Sequence, residues 1–310
     1  MELIRGLHNL RPRHRGCVTT IGAFDGVHHG HRAVLQRLID KGGEMGLPTT
    51  VVVFEPLPKE FFAPQQAPAR LMSFREKFKA LKALGIDRIL RIRFNETLRE
   101  MDGGEFVRKV FVEGLGAKHI IIGDDLRFGR DRGGNFELLR KFGLEKGFTV
   151  EATETLSIDD ERVSSTRIRK ALEDIDFDLA NTLLGRPFSI SGKVIVGKQL
   201  GRQLGAPTAN MELHRLRSPL SGVFAVDAVI DAETVHGIAN VGTRPTVGDG
   251  LKAILEVHLL DFDRDIYGKN IEVIFRTKIR DEKKFDSIDN LKQQIHEDFE
   301  TGRRYFASVS

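Results

Sequence analysis

Apolar residues in the first half of the chain alternate between two textures. Short apolar runs at 17–23, 49–54, 88–94, 119–122 and 148–152 are rich in Val, Ile and Phe. Between them lie stretches with helical spacing; in 31–41, Val34, Leu35, Leu38 and Ile39 fall on one face, and 75–84 and 105–115 repeat the pattern. Strands separated by helices predict a parallel sheet with crossover helices. Ligands bind such sheets outside the carboxyl ends of the strands, so the glycines and polar residues that follow each run are the places to look.

The spacing predicts one or two more helices over 166–184, and then the texture changes. From 188 to 275 the apolar segments are short and β-rich, at 223–230, 236–241, 254–260 and 271–275, with glycine-rich turns between them. That regular spacing predicts an antiparallel barrel or sandwich. A closing helix is expected through Ile288, Leu291 and Ile295. The expected domains are 1–184 and 185–310, with the boundary at Leu184-Gly185, and no internal repeat is visible.

Composition narrows the function classes. The 310 residues are 40% hydrophobic and 30% charged, the balance of a soluble globular protein with room for two cores. Cys17 is the only cysteine, so an internal disulfide framework is excluded. No apolar run is long enough to span a bilayer, and the N-terminus has no signal-peptide pattern. A cytoplasmic location is expected, with no membrane partner. Net charge is only +4 and the cations are interspersed with acids, so nucleic acid is not an expected partner. A monomer or weak homo-oligomer is expected.

The sharpest motif is GAFDGVHHGH at 22–31, which follows a strand and opens a helix. His28 and His31, split by Gly30, can face one ligand at a helix N-terminus, where unpaired N–H groups and partial positive charge suit phosphate. Read alone, it is equally a Gly/His turn without chemistry, or half of a zinc site lacking supporting ligands. A second motif, SSTRIR at 164–169, starts another helix with hydroxyls and two arginines. Alone, its Ser or Thr could be a helix cap. Together the pair resembles the nucleotidyltransferase superfamily, and more specifically the FMN adenylyltransferase module of bacterial bifunctional riboflavin kinase/FAD synthetases. That resemblance implies an α/β nucleotidyltransferase domain with a Rossmann-like parallel sheet. It also implies that Gly22, Phe24, Asp25, His28, His31, Ser164, Ser165 and Arg167 bind ATP, with the histidines on its phosphates and Ser164, Ser165 and Arg167 on the departing pyrophosphate. Asp25 could instead orient the turn. FEPLP at 54–58 with Phe61 and Phe62, and GDDLRFG at 123–129, lie where that family places flavin contacts; each is otherwise a plain loop. Pro56, Phe62, Asp124, Asp125, Arg127 and Phe128 are the implied flavin residues. Leu126 departs from the family form, which has an aromatic there.

In the second half, GKVIVGKQ at 192–199 nearly matches a P-loop, but Gln199 stands where Ser or Thr should hold magnesium, and no strand-to-helix unit surrounds it. The longer run is more telling. GRQLGAPTANM at 201–211 offers glycines whose backbone N–H groups can fold over phosphates, and Thr208 and Asn210 present neutral oxygens to a hard cation. IANVGTRPT at 238–246 and EVHLLDF at 256–262 follow. In this order the three stretches resemble a bacterial riboflavin kinase domain, whose fold is a small antiparallel β-barrel. The resemblance implies that Gly201, Thr208 and Asn210 bind ATP, that Thr208 and Asn210 hold Mg²⁺, that Arg244 contacts flavin and that Glu256 is the general base. Glu256 could otherwise be a solvent-facing strand residue; no role is read for His258.

The two resemblances imply ATP-dependent conversion of riboflavin to FMN and of FMN to FAD. Competing readings are an enzyme with one live activity, an adenylyltransferase for another phosphate, and a flavin sensor or carrier. The first conflicts with the required motif residues in both halves, the second leaves the kinase-like half without a place, and the third leaves two phosphate-binding constellations unexplained.

Overall fold

The structure is a computed structural model describing residues 1–197, 207–245 and 251–309, with backbone only at 244, 245, 251 and 252. The chain forms two units by its internal contacts, Met1–Pro68 with Phe74–Ser164, and Ala69–Ser73 with Ser165–Ser310.

The first unit runs β1 (Glu2–Arg5), β2 (Val18–Ile21), α1 (His29–Met45), β3 (Thr49–Phe54), α2 (Pro58–Phe62), α3 (Phe74–Ala83), β4 (Arg88–Ile92), α4 (Glu96–Arg99), α5 (Gly103–Phe106), a π-helical continuation (Val107–Gly114), β5 (His119–Gly123), α6 (Phe136–Lys146), β6 (Thr149–Thr153), β7 (Ser157–Ile158) and β8 (Glu161–Arg162). The six main strands pair in the order β1-β4-β3-β2-β5-β6, all parallel. Ile120, Ile121 and Ile122 are each fully buried, because helices cover both faces of a parallel sheet. One core layer gathers Ile21, Val52, Ile92, Phe106, Phe111, Ile122 and Leu139. The expected strands and helices are present. β1 was not legible as a strand: four residues carry too little alternation, and pairing with β4 defines it.

The strand order reverses at β2, since β3 lies on one side of it and β5, reached much later in the chain, on the other. Such a switch point opens a crevice at the carboxyl ends of the strands. The loops after β2, β3 and β5 carry GAFDGVHHGH, FEPLP and GDDLRFG, whereas SSTRIR follows β8.

The second unit begins with α7 (Ser165–Glu173) and α8 (Phe177–Leu184), which ends on the left-handed Gly185 at φ 68°. There follow β9 (Ser189–Ile195), β10 (Ala209–Glu212), β11 (Gly222–Ile230), β12 (Glu233–Pro245), β13 (Leu251–Leu259), β14 (Asn270–Arg280) and α9 (Ile288–Val309). The six strands close an antiparallel barrel in the order β10-β13-β12-β11-β14-β9. Gly192 lies within β9, consistent with the rejection of a P-loop. The barrel's inward rows include Leu255 and Val257, both fully buried. Its outer face is covered in part by α9, whose Phe306 packs with Val223, Ala225, Ile238 and Leu260. The Arg280 guanidinium grips the Asp298 carboxylate with two bonds, Nε–Oδ1 2.8 Å and Nη2–Oδ2 2.7 Å, fixing α9 to the end of β14. Gly302 is the point of closest approach, since a Cβ there would overlap Ile238.

Candidate active sites

His28 is the N-cap of α1: its Nδ1 accepts the His31 backbone N–H at 3.3 Å. A neutral imidazole that accepts at Nδ1 carries its proton on Nε2, so the cap fixes His28 as an Nε2–H donor. The His28 and His31 rings stack with centroids 3.6 Å apart and 17° between planes, and Phe24 leans on His31 at 5.1 Å. The turn holding them is tight, with positive φ at Phe24 (47°), Gly26 (90°) and Val27 (43°). Phe24, Asp25, Val27 and His28 are buried. Gly30 is closely packed: a Cβ there would lie 3.3 Å from the His28 ring and 3.4 Å from the Val163 carbonyl oxygen. The chain just before Ser164 therefore passes against the histidine turn, which brings the start of the second motif beside the first. Gly22 is similarly crowded, with a Cβ there 3.0 Å from the Phe24 ring. Ser165 and Arg167 lie in the second unit, on the first turn of α7.

The loop after β3 carries Pro56, joined to Glu55 by a cis peptide, and α2. Phe61, Phe62 and Phe94 meet edge to face with centroids 5.4–5.7 Å apart, and Arg99 lies over the Phe62 ring at 5.7 Å. Phe62 is 57% exposed, so this aromatic wall has an open side. The loop after β5 presents Asp124, Asp125 and Arg127 to solvent. Arg162 pairs with Asp125 at 2.8 Å and Thr155 donates to Asp124 at 2.7 Å, so β8 and the segment after β6 hold this loop. The Phe128 ring is buried in the core against Phe106, 5.3 Å between centroids.

In the barrel, Glu256 lies on β13 directly opposite Asn210 of β10 on one side and Asn240 of β12 on the other. Their neighbours Ala209, Met211, Leu255, Val257, Ala239 and Val241 are buried, so the three polar side chains form one half-buried row on the barrel's outer face. Gly197 comes so close to Asn210 that any side chain there would overlap it. Asn210 Nδ2 donates to the Thr208 carbonyl at 3.4 Å. Thr208 and Asn210 line a hollow of about 390 Å³ whose far wall includes Phe262, Asp263, Ile266 and Tyr267. Among the described residues no cluster of three His, Cys, Asp or Glu side chains could hold a metal by itself. A magnesium ion fits this donor set as an ion held by one or two protein oxygens and otherwise by nucleotide phosphates and water.

His258 shares Glu256's face of β13, and its ring stacks on Phe299 of α9 with centroids 4.0 Å apart and 11° between planes. Its Nδ1–H donates to the Pro207 carbonyl at 2.8 Å. Burial holds this imidazole below the usual histidine range, the Pro207 bond opposing. Gly201 lies outside the described residues, as does the Arg244 side chain; Arg244 itself is on β12. Asn240 and the 262–267 wall escaped the sequence reading. Asn240 gains meaning only from barrel register; the wall had one signal, an acidic and aromatic loop directly after EVHLL. A second hollow of about 630 Å³, lined among others by His236, Asp261, Arg303 and Phe306, touches only the end of the EVHLLDF stretch and none of the implied site residues. Cys17, buried, has its thiol pushed up to about 11 by burial and stays protonated.

Family models match both halves of the chain: FAD synthetase over residues 10–167 and riboflavin kinase over 184–306. Curated relatives described as bifunctional riboflavin kinase/FMN adenylyltransferase match end to end. The protein of Pseudomonas fluorescens is 53% identical over 98% of this chain and 97% of its own length. That of Escherichia coli K12 is 48% identical over 99% and 98%, and that of Haemophilus influenzae 46% over 99% and 100%. A solved structure described as a macrolide-efflux protein from Streptococcus pneumoniae is 31% identical and superposes with a TM-score of 0.76 over 97% of this chain and 98% of its own. Among the described residues of this chain, no helix is long and apolar enough to cross a membrane.

Proposed function

Because the chain belongs to the family of bifunctional riboflavin kinase/FMN adenylyltransferases, we propose that residues 1–184 adenylylate FMN and residues 185–310 phosphorylate riboflavin, each at the motif residues described above. The observation that carries this reading is the pair of separate polar constellations. One is the stacked His28–His31 turn at the sheet's switch point, the other the Asn210–Glu256–Asn240 row, whose Asn210 also lines a half-open hollow.

In the kinase half, ATP occupies the hollow beside Thr208 and Asn210, whose side-chain oxygens would hold Mg²⁺. When bound, Mg²⁺ supplies charge neutralisation of the phosphates. Glu256 accepts the proton of the riboflavin 5′-hydroxyl; the freed oxygen bonds to the γ-phosphorus, the bond to the β-phosphate oxygen breaks, and ADP leaves. Asn210 and Asn240 flank the carboxylate and hold it in register. By the family resemblance, Gly201 and Arg244 complete the ATP and flavin contacts.

In the adenylyltransferase half, an FMN phosphate oxygen attacks the α-phosphorus of ATP and pyrophosphate departs, so no protein nucleophile is required. The chain's contribution is positioning and charge stabilisation. His28 donates from Nε2, and His31 with it, to phosphate oxygens that gain charge. Gly22, Phe24 and Asp25 shape the turn, and Ser164, Ser165 and Arg167 receive the pyrophosphate by resemblance. The open aromatic wall of Phe62 with Pro56 takes the isoalloxazine ring; Asp124, Asp125 and Arg127 border it, with Phe128 behind. The protein works on small molecules in a reducing cytoplasm, needing neither membrane nor nucleic acid, as a monomer or weak homo-oligomer.

Chromatography of products tests the reading. The protein with riboflavin, ATP and Mg²⁺ should yield FMN and then FAD, and a matched reaction from FMN should yield FAD and pyrophosphate. A folded protein that binds flavin yet forms no new flavin in either reaction is a sensor or carrier, not this enzyme.

A further inference from the structure

His258 touches three different parts of the barrel unit. It sits on β13 two residues from Glu256, on the same face, and so about 7 Å along the strand from it. Its ring lies flat on Phe299 of α9 at 4.0 Å. Its Nδ1–H bonds to the carbonyl of Pro207 at 2.8 Å, the residue immediately before Thr208. The stack limits ring rotation, so the donor direction is set by α9, and α9 is itself clamped by Arg280–Asp298. The bond is long-range: 51 residues separate donor and acceptor. It is also a bond that the antiparallel pairing of β10 with β13 does not provide, because that ladder begins at Ala209, beyond Pro207 and Thr208.

We infer that His258 is a positioning residue of the kinase half: by holding the Pro207 carbonyl it sets the place of Thr208, and so of the MgATP phosphates, relative to Glu256. This inference rests on the kinase reading of the barrel. The carbonyl acceptor places a ring proton on Nδ1. His258 therefore acts through Pro207 and Thr208, not as an acid or base. An aromatic contact on one side and a directed N–H on the other explain why a histidine stands here: Phe supplies only the first, Asn only the second.

Two substitutions in the full chain separate these parts. His258→Phe keeps the stack on Phe299 and removes the donor; His258→Asn keeps a donor near the Nδ1 position and removes the ring. In riboflavin phosphorylation, His258→Phe should raise KM for MgATP roughly tenfold, the scale of one lost hydrogen bond to a partly buried carbonyl. The KM for riboflavin should change less than about twofold, and kcat only modestly. His258→Asn should recover most of the ATP effect. Amide hydrogen exchange, measured without nucleotide, should be faster in the peptide spanning 207–212 for His258→Phe than for wild type, and intermediate for His258→Asn. The retained KM for riboflavin and kcat report that the barrel unit is folded, and FAD formation from supplied FMN that the rest of the chain is. An unchanged KM for MgATP in His258→Phe, or equal damage from both substitutions, overturns the inference. A wild-type protein that forms no FMN from riboflavin overturns the kinase reading instead.

Discussion

Asn210 and Glu256 face each other as directly paired residues of β10 and β13, although 46 positions of sequence separate them, and Asn240 completes the row from β12. The barrel thus brings the two most informative motifs of the second half side by side. Replacing Glu256 with Gln keeps its size and removes its capacity to accept a proton. FMN formation from riboflavin should fall by at least about 100-fold, the usual scale of general-base catalysis, while FAD formation from supplied FMN stays at the wild-type rate. Loss of both activities would show that the two sites are not separable.

His28 caps α1 and stacks on His31, so its removal takes away both a donor and the support of its neighbour. His28→Ala should lower FAD formation by about 100-fold or more, the scale of a lost transition-state donor, and leave riboflavin phosphorylation intact. A variant that makes FAD at the normal rate moves the first site elsewhere. Loss of the cap also costs about 1 kcal/mol of stability, so unfolding should be measured alongside.

Gly197 is a steric test of the second site. An added methyl overlaps the Asn210 side chain, which must turn away from its place beside Glu256. Gly197→Ala should impair FMN formation at least tenfold with a raised KM for MgATP, and FAD formation should be unaffected. Equal kinetics in both halves would mean that the Asn210 position is not needed.

The Arg280–Asp298 pair anchors α9, and the Asp298 side chain is only 6% exposed. Asp298→Ala leaves the guanidinium only its Nη1 bond to the Asp281 carbonyl and should destabilise the barrel unit by about 1–3 kcal/mol. The midpoint of denaturant unfolding followed in that unit reads this; a shift under about 0.5 kcal/mol would show that the helix is held by its apolar face alone.

His119 is buried at the start of β5, with Thr149 Oγ1 at 2.6 Å. Burial lowers its pKa from the usual 6.5, and the carboxylate of Glu151 opposes this. The unfolded chain therefore binds a proton at a pH where the folded one does not. Stability from this group is complete above about 6.5 and declines as pH falls from there towards the lower folded value. Thermal unfolding at pH 7.5 and 5.5 should show the first unit less stable at the lower pH, and His119→Asn should flatten that difference. An unchanged slope in the variant assigns the pH response to other groups.

The sequence determined the local chemistry. Period and punctuation were enough for β3 at 49–54 and for the α1 helix, and for the change from helix-linked strands to short β segments. A histidine pair around a glycine at a helix start states its own capacity to bind phosphate, because capping and helix-terminal charge act within a few residues. Tertiary structure decided what is near what. β1 and β10 are four residues each and take their identity from the strands they pair with. Asn240 reads as a polar strand residue until barrel register places it beside Glu256, and His258 until a ring 41 residues later stacks on it. Phe128, which the resemblance made a flavin residue, has its ring in the core. Hydrophobic period is written along the chain, whereas strand register and helix docking depend on pairings between distant segments, which exist only once burial and backbone hydrogen bonding have brought those segments together.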